Sequence, residues 1–245
     1  MWSRANAASR ARLAVAVATI LALLAQSTCS ATELDKRQMA LLDKADRSSI
    51  APDLIETIPR AIFEAKFKAG EIAMGNHFTP EQASSAPSGI EFPRTEGATY
   101  AIAMLDPDAP SRRDPKFRPI LHWLVVNVEA GDVKKPVNYK SGTELYRYRG
   151  PRPPMGSGPH RYVFLAYKQY RTIDMPQTLV VPTDKRKNFN MNKFVKEHNL
   201  GNPIAINYFL AEDAYVDGVT PIVSWLTIVA LALLGLVGRV VLMKT

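Results

Sequence analysis

The sequence predicts a domain of the mainly β or α+β class in which antiparallel strands dominate. Three strongly apolar segments, at residues 99–105, 121–128 and 161–170, have the composition of strands, and long loops rich in proline and glycine separate them. Helical spacing appears in two short segments, at 33–48 and 190–199. Because strands and helices do not alternate along the chain, the sequence argues against a doubly wound parallel sheet.

The first part of the domain is predicted to contain one helix, one strand and a long loop. In the segment 33–48, apolar side chains recur on one side with helical spacing. In the segment 61–67, alanine and phenylalanine alternate with isoleucine and charged residues, as in a half-buried strand. Prolines, glycines and serines crowd the segment 79–98, which we interpret as a loop. The apolar positions of the predicted helix are Met39, Leu42 and Ala45.

The remainder of the domain is predicted to hold four strands and one helix. Three of the strands are the apolar segments described above, and the first two of these have the composition of buried strands. The helix at 190–199 is followed by Gly201, a residue type that commonly ends helices. A last strand is predicted at 204–209.

Two apolar runs near the ends of the chain predict targeting to a membrane. Residues 1–31 contain a short apolar run between basic and small residues, which is typical of a secretory signal peptide. Residues 222–243 form a longer apolar run, interrupted by Arg239, that predicts a single transmembrane helix. A glycolipid-anchor signal is the alternative, but the polar spacer before this run is short. We therefore expect a folded domain at 32–219, in the secretory pathway, facing the lumen or the cell exterior.

The composition of this domain excludes two classes of protein. The 31 basic residues of the chain exceed its 23 acidic residues, but part of the excess lies in the terminal segments. No run of lysine and arginine exceeds three residues, so no nucleic-acid partner is expected. The only cysteine, Cys29, lies in the predicted signal peptide, so the domain is not a disulfide framework. We expect it to act as a monomer.

Two aspartates directly follow the strand at 99–105. In an extended segment, residues two apart point to the same side, and the neighbouring prolines restrict the backbone. The pattern therefore predicts that the carboxylates of Asp106 and Asp108 are held side by side, with Pro110 closing the segment. The alternative is an ordinary surface turn, because aspartate and proline are both common in turns.

Two histidines stand at the ends of neighbouring predicted strands. His122 lies within an apolar run, where a single histidine is most often a hydrogen-bonded core residue. His160 follows the loop 150–159, which is rich in glycine and proline. Glycines there allow left-handed backbone or the close approach of a ligand, although they are also common in loops without a ligand.

Two aspartates and two histidines leave three kinds of site open. They could bind a metal, although the usual paired ligand spacings are absent. They could catalyse hydrolysis as acid and base, although neither Ser111 nor Ser157 lies in a nucleophile-elbow motif. They could bind an anion through imidazolium and backbone N–H groups, with the aspartates raising the pKa of both histidines. We favour the anion pocket and expect no catalytic residue, no metal and no cofactor.

Three motifs occur in a fixed order along the chain: D-P-D-A-P-S-R, H-W-L-V-V-N and G-P-R-P-P-M-G-S-G-P-H-R-Y-V-F. They resemble the signatures of the phosphatidylethanolamine-binding protein family, which includes Raf kinase inhibitor proteins and plant flowering regulators. The resemblance extends from about Ala51 to Tyr215 and implies a central antiparallel sheet, a smaller second sheet and a few peripheral helices. It also implies a pocket for phosphate, acetate or phosphoethanolamine-like anions. The implied ligand-binding residues are Asp106, Asp108, Pro110, His122, Gly150, Arg152, Pro154, His160, Tyr162 and Tyr215.

The resemblance implies a function in binding, and this chain departs from the family in three respects. Arg152 stands where many relatives have a small residue, and Ile120 stands where some animal members have a tryptophan in the pocket wall. The predicted signal peptide and membrane anchor contrast with the cytosolic location of typical members. We expect non-enzymatic binding of phospholipid headgroups or small phosphorylated anions by a membrane-tethered domain. The alternative is an inhibitor or scaffold that binds a serine protease or a kinase through the rim of the pocket.

Overall fold

The computed structural model describes residues 35–36, 38–175 and 183–213. They form two sheets and a few short helices, which confirms the predicted fold class. The helices are α1 (38–47), α2 (Ile50–Asp53) and α3 (Met191–Glu197), and 3-10 turns occur at Tyr139–Ser141 and Thr183–Arg186. The strands are β1 (Glu64–Phe67), β2 (Gly70–Glu71), β3 (Asn76–His77), β4 (Gly89–Glu91), β5 (Thr99–Asp106), β6 (Ile120–Glu129), β7 (Thr143–Tyr146), β8 (His160–Gln169) and β9 (Ala205–Ala211).

The larger sheet has six strands in the order β3-β9-β8-β5-β6-β7, and the smaller has three in the order β2-β1-β4. Neighbouring strands pair antiparallel, except that β3 pairs parallel with β9. The central strands β5, β6 and β8 are buried on both faces, as their apolar composition predicts. The large sheet therefore has a core on each side.

The two faces of the large sheet pack against different layers. One face meets the small sheet in a core rich in aromatic residues, in which Phe63 stacks on both Phe92 and Phe164. The other face packs against the helices, with Ala45 of α1 and Phe194 of α3 among the buried residues. Strand β8 supplies alternate side chains to the two cores, because successive residues of a strand point to opposite faces.

The predictions for β1 and α1 can be compared with the structure. Strand β1 is shorter than the predicted segment, but Phe63, Ala65 and Phe67 are buried, as the alternation predicts. Helix α1 forms within the predicted segment, where Ala45 is buried, Leu42 is half-buried against the core and Met39 is 65% exposed. A helix that covers the edge of a core buries only the part of its apolar side that reaches the sheet.

The helix α3 ends at Glu197, four residues before the predicted glycine. Asn199, with φ 53°, is the left-handed residue that ends the helix, so the prediction for Gly201 is wrong. The N–H groups of Asn199 and Leu200 donate to the carbonyls of Lys196 and Val195, which is the Schellman pattern. Asparagine tolerates the left-handed conformation better than most residues, so no glycine is needed here.

The predicted targeting segments lie outside the described residues. These segments are the signal peptide at 1–31 and the transmembrane helix at 222–243. Within the part of the chain that the structure describes, no helix combines the length and the apolar character needed to cross a bilayer.

Three strand ends meet at one edge of the large sheet. Strand β5 ends at Asp106, which pairs with Ile120 at the start of β6. Strand β8 begins with His160 beside the same end of β5, because β5 and β8 are antiparallel. This edge therefore brings together the polar residues that the sequence places at separate strand ends.

Candidate functional site

His160 and Asp106 form a buried pair at this edge. The imidazole Nδ1 of His160 lies 2.8 Å from Oδ2 of Asp106, and its Nε2 lies 3.0 Å from Oγ of Ser157. Burial lowers the pKa of His160, but the hydrogen bond and the charge of Asp106 outweigh it and raise this pKa above its ordinary value. The carbonyl of Pro110 acts in the same direction. The raised pKa and the carboxylate partner both favour the imidazolium form of His160.

The contacts of Ser157 decide whether the Ser157–His160–Asp106 series acts as a catalytic triad. Its distances resemble those of a triad, but the Ser157 hydroxyl lies 2.6 Å from the carbonyl of Pro154 and donates its proton there. The Ser157 oxygen then accepts from the protonated Nε2 of His160. A general base must accept a proton from the nucleophile, and an imidazolium cannot do so. The arrangement therefore fixes the loop rather than activating Ser157.

His122 is buried in a different protonation state. Its Nδ1–H donates to the carbonyl of Arg149 at 2.7 Å, and its Nε2 has no hydrogen-bond partner among the described residues. Burial lowers the pKa of His122, against the opposing charge of Asp106 and the bond to Arg149. The prediction that the aspartates raise the pKa of both histidines is therefore wrong for His122. Its neutral ring presents a lone pair on Nε2.

Tyr162 is the second residue here with an unsatisfied polar atom. Its side chain is fully buried, and its hydroxyl has no hydrogen-bond partner in the described part of the chain. The ring lies edge-on to His122, with 5.1 Å between centroids, and stacks on Phe209. Burial raises the pKa of Tyr162 far above its usual range, as does the charge of Asp106, whereas the backbone of Arg152, which lies near the hydroxyl but outside hydrogen-bonding geometry, acts in the opposite direction.

The unsatisfied atoms, Nε2 of His122 and the hydroxyl of Tyr162, define the candidate site. A buried polar atom without a partner costs about 1–3 kcal/mol, so such atoms are rare in native proteins. His122 offers an acceptor, or a donor once protonated, and Tyr162 offers a hydroxyl that can donate or accept. Together they suit a ligand with oxygen atoms that hydrogen-bond to both.

Asp108 has a structural role in a second buried network. Its Oδ2 accepts from the backbone N–H and from Nε of Arg161, and its Oδ1 lies 2.5 Å from the Arg161 Nη2. Arg161 also pairs with Asp53 at 2.7 Å. Burial raises the pKa of Asp108, but the bonds and charge of Arg161 outweigh it and lower this pKa. The two carboxylates therefore have different partners: Asp108 pairs with Arg161, whereas Asp106 pairs with His160 and accepts from the backbone N–H of Asp108.

Arg161 is the central residue of this buried network, and the sequence interpretation missed this role. It lies inside the predicted strand and is fully buried, where an isolated cation would be costly. The signal that could have revealed it is an arginine at the start of an otherwise apolar strand.

The loop 150–159 contributes backbone and a surface rather than buried ligands. A Cβ atom on Gly150 would lie 2.7 Å from the carbonyl oxygen of Ala83, so this glycine permits close packing of two loops. The side chains of Arg152 and Pro154 are exposed at the rim of the site. Tyr215, the remaining predicted ligand-binding residue, lies outside the described residues.

Other candidate centres can be compared with this one. Within the described ranges, no group of three or more histidine, cysteine, aspartate or glutamate side chains is placed to hold a metal. Four of the cavities on the described surface have volumes of 180 to 680 Å³, and the residues that line these four do not include His122 or Tyr162. The unsatisfied polar atoms, and not cavity volume, therefore identify the site.

The chain matches one family model and is similar in sequence to known proteins. The family model described as phosphatidylethanolamine-binding protein matches residues 57–209. A Drosophila melanogaster relative that carries the name "odorant-binding protein A5" is 32% identical over 171 residues, which cover 68% of this chain and 78% of that protein.

Two solved structures share the fold. A carboxypeptidase Y inhibitor, solved in complex with its cognate proteinase, is 30% identical, with a TM-score of 0.61 over 71% of this chain and 95% of the inhibitor. A phosphatidylethanolamine-binding protein from Plasmodium vivax is 23% identical, with a TM-score of 0.56 over 70% of this chain and 96% of that protein, a likeness of fold alone. Since the family model matches more than half of the sequence, the chain belongs to the phosphatidylethanolamine-binding protein family.

Proposed function

We propose that the chain binds small phosphorylated anions, of the kind that phospholipid headgroups carry, and does so without a covalent step. The observation that carries this proposal is the pair of buried, unsatisfied atoms on His122 and Tyr162. A phosphate monoester has several oxygens that accept hydrogen bonds, so one group can bond to both side chains. The membership of the family and the names of its relatives support binding as the activity.

We expect binding of an anion at this site to be accompanied by protonation of His122. The Nδ1–H of His122 is already bonded to Arg149, so Nε2 is the position that can accept a proton. A protonated Nε2 donates to a phosphate oxygen, and the hydroxyl of Tyr162 donates to another. The ion pair of His160 and Asp106 orders the neighbouring loop, and the exposed Arg152 adds positive charge at the rim.

Protection against thermal unfolding tests the proposal. Phosphorylethanolamine and inorganic phosphate are titrated into the full chain in maltoside detergent, and a ligand at 100 times its Kd stabilises the protein by about 2.7 kcal/mol. His122→Ala should abolish this stabilisation. His77→Ala is the matched control, because His77 is exposed on the edge strand β3. If wild type and His122→Ala respond equally, the proposed site is wrong.

The absence of catalysis is part of the proposal and has its own test. Ser157 and His160 are the groups that an ester hydrolase would use. We expect nitrophenyl acetate to be hydrolysed no faster by the wild type than by Ser157→Ala. A faster reaction in the wild type, lost in the variant, would show that the protein is an enzyme.

The location of the domain is also a proposal. We propose that the apolar run in 1–31 directs export and that 222–243 holds the domain at a membrane as a single span, with a glycolipid anchor as the alternative. Expression in a secretory cell line, with protease added outside intact cells, tests this. Digestion of the domain supports export, and its release by a phospholipase that cleaves glycolipid anchors would favour the alternative. Protection from the protease contradicts export.

Inhibition of a protease or kinase, or a scaffold role, is the second candidate function. The likeness to a carboxypeptidase Y inhibitor that covers most of this chain favours a protease partner. The loop 150–159 exposes Arg152 and Met155, the latter 67% exposed, which provides a surface for a partner. Inhibition of a serine carboxypeptidase that survives His122→Ala but not Met155→Asp would favour this function over anion binding. Export would separate the domain from cytosolic kinases.

A further inference from the structure

Arg186 is a buried cation that no carboxylate contacts in the part of the chain that the structure describes. It ends the 3-10 turn Thr183–Arg186 and is only 5% exposed. Glu144 is the acid whose charge reaches it, but Oε1 of Glu144 already accepts from Nε1 of Trp123. A buried charge is costly unless it is paired or well hydrogen-bonded. The burial of Arg186 without a carboxylate partner should therefore cost stability.

The guanidinium of Arg186 is held by backbone carbonyls. Its Nη1 donates to the carbonyls of Leu121 and His122, both at 3.0 Å. Its Nη2 donates to the carbonyl of Arg147 at 2.9 Å, and the ring of Tyr146 lies 5.6 Å away. Its Nε is buried without a hydrogen-bond partner among the described residues. The bonds satisfy most of its protons but supply no negative charge.

These bonds fix the residue that carries the anion site. The carbonyl of His122 accepts both from Arg186 and from the N–H of Arg149, the latter at 2.9 Å. The imidazole of His122 donates back to the carbonyl of Arg149 at 2.7 Å. Arg186 therefore ties the start of β6 to the segment that orients the imidazole. It touches no proposed ligand contact directly and acts through His122.

We propose that Arg186 is a positioning residue of the anion site, which fixes His122 and whose uncompensated charge makes the site prefer doubly charged to singly charged anions. This inference rests on the proposed function. A doubly charged anion bound at His122 supplies the negative charge that Arg186 lacks, and interactions between charges are strong in a buried site. The charge of Arg186 reaches the imidazole, because it helps to lower the pKa of His122.

The experiment measures preference as well as affinity. Calorimetry in low salt at pH 7 compares methyl phosphate, which is mainly doubly charged, with acetate, which is singly charged. The full chain in maltoside detergent is used, with the variants Arg186→Met and Arg186→Lys. Arg94→Met is the control, because Arg94 also donates to backbone carbonyls, those of Ala130 and Asp132, but is paired with Glu91 and lies at the opposite end of β5.

Arg186→Met tests the role of the charge, and Arg186→Lys tests the positioning role. Arg186→Met should bind methyl phosphate about tenfold more weakly and acetate about threefold more weakly, so that the preference falls. Arg186→Lys keeps the charge but cannot bond all three carbonyls, so both affinities should fall while the preference remains. Arg94→Met should bind like the wild type. An unchanged preference in Arg186→Met overturns the role of the charge.

The remaining outcomes also decide the proposal. Wild-type affinities in Arg186→Lys overturn the positioning role. If Arg186→Met does not fold, Arg186→Lys carries the test, and a lost preference in it overturns the role of the charge. If the wild type binds neither anion, the proposed function itself fails, which distinguishes that failure from failure of the inference.

Discussion

The imidazole of His122 lies edge-on against the ring of Tyr162, with 5.1 Å between centroids and 84° between ring planes. Both side chains are buried, and each has one polar atom without a partner in the described part of the chain. The two rings in contact therefore each have one polar atom, Nε2 of His122 and the hydroxyl of Tyr162, that still needs a hydrogen-bond partner. These two unsatisfied atoms lower the stability of the protein, and a ligand that bonds to both would raise it again.

Tyr162→Phe should therefore separate stability from binding. Without ligand, the variant loses an unsatisfied hydroxyl and keeps the ring stacked on Phe209, so we expect the free energy of unfolding to rise by about 1 kcal/mol. That corresponds to a rise in Tm of about 2–4 °C for a domain of this size. With inorganic phosphate present, the order should reverse, because the hydrogen bond to the ligand is lost. A variant less stable than the wild type without ligand would contradict this.

The two histidines should give the stability of the protein opposite dependences on pH. His160 has a raised pKa in the folded state, so its contribution is complete below about pH 6.5 and is lost as the pH rises through its folded pKa. His122 has a lowered pKa in the folded state. Below about pH 6.5 the unfolded chain protonates it first, so stability falls as the pH falls towards its folded pKa.

Two variants isolate these contributions in unfolding measured from pH 5 to pH 9. Asp106→Asn removes the partner of His160, so the loss of stability towards high pH should flatten. His122→Gln removes the group that resists protonation, so the loss towards low pH should flatten. If both variants keep the wild-type profile, the assigned protonation states are wrong.

The strands, and the residues that gather at one edge of the large sheet, could be predicted from the sequence because both depend on local patterns. Apolar segments identify β5, β6 and β8, and antiparallel neighbours bring their ends to one edge, where Asp106, His122, His160 and Tyr162 stand. The protonation state of His122 could not be predicted, since it depends on whether burial outweighs a nearby charge. Which residue pairs with Arg161 depends likewise on side-chain directions that spacing does not fix.

The network of Arg161 should make a large contribution to stability. Arg161→Met removes the guanidinium that pairs with the buried Asp108 and leaves Arg118, 3.9 Å away, as the nearest cation, so we expect a loss of about 3–5 kcal/mol in urea unfolding. The control is Arg47→Met, which breaks an exposed pair with Asp43 one helical turn away and should cost less than about 0.5 kcal/mol. Equal losses in the two variants would contradict a special role for the buried network.

Two glycines of the loop 150–159 should respond differently to alanine. A Cβ on Gly150 would lie 2.7 Å from the carbonyl oxygen of Ala83 and 2.8 Å from the Cα of Ser84, so one loop must shift, at a cost of about 1–3 kcal/mol. Gly156 has φ +73° and open space around it, so alanine there costs about 1–2 kcal/mol through backbone strain.

Binding distinguishes these two changes more clearly than stability does. A shift at Gly150 should also displace the backbone of Arg152, which lies near the hydroxyl of Tyr162. The affinity for methyl phosphate should therefore fall several-fold. Gly156→Ala strains an exposed part of the loop and should bind like the wild type. Calorimetry on both variants checks this. Equal affinities would show that packing of the loop against residues 83–84 does not position the site.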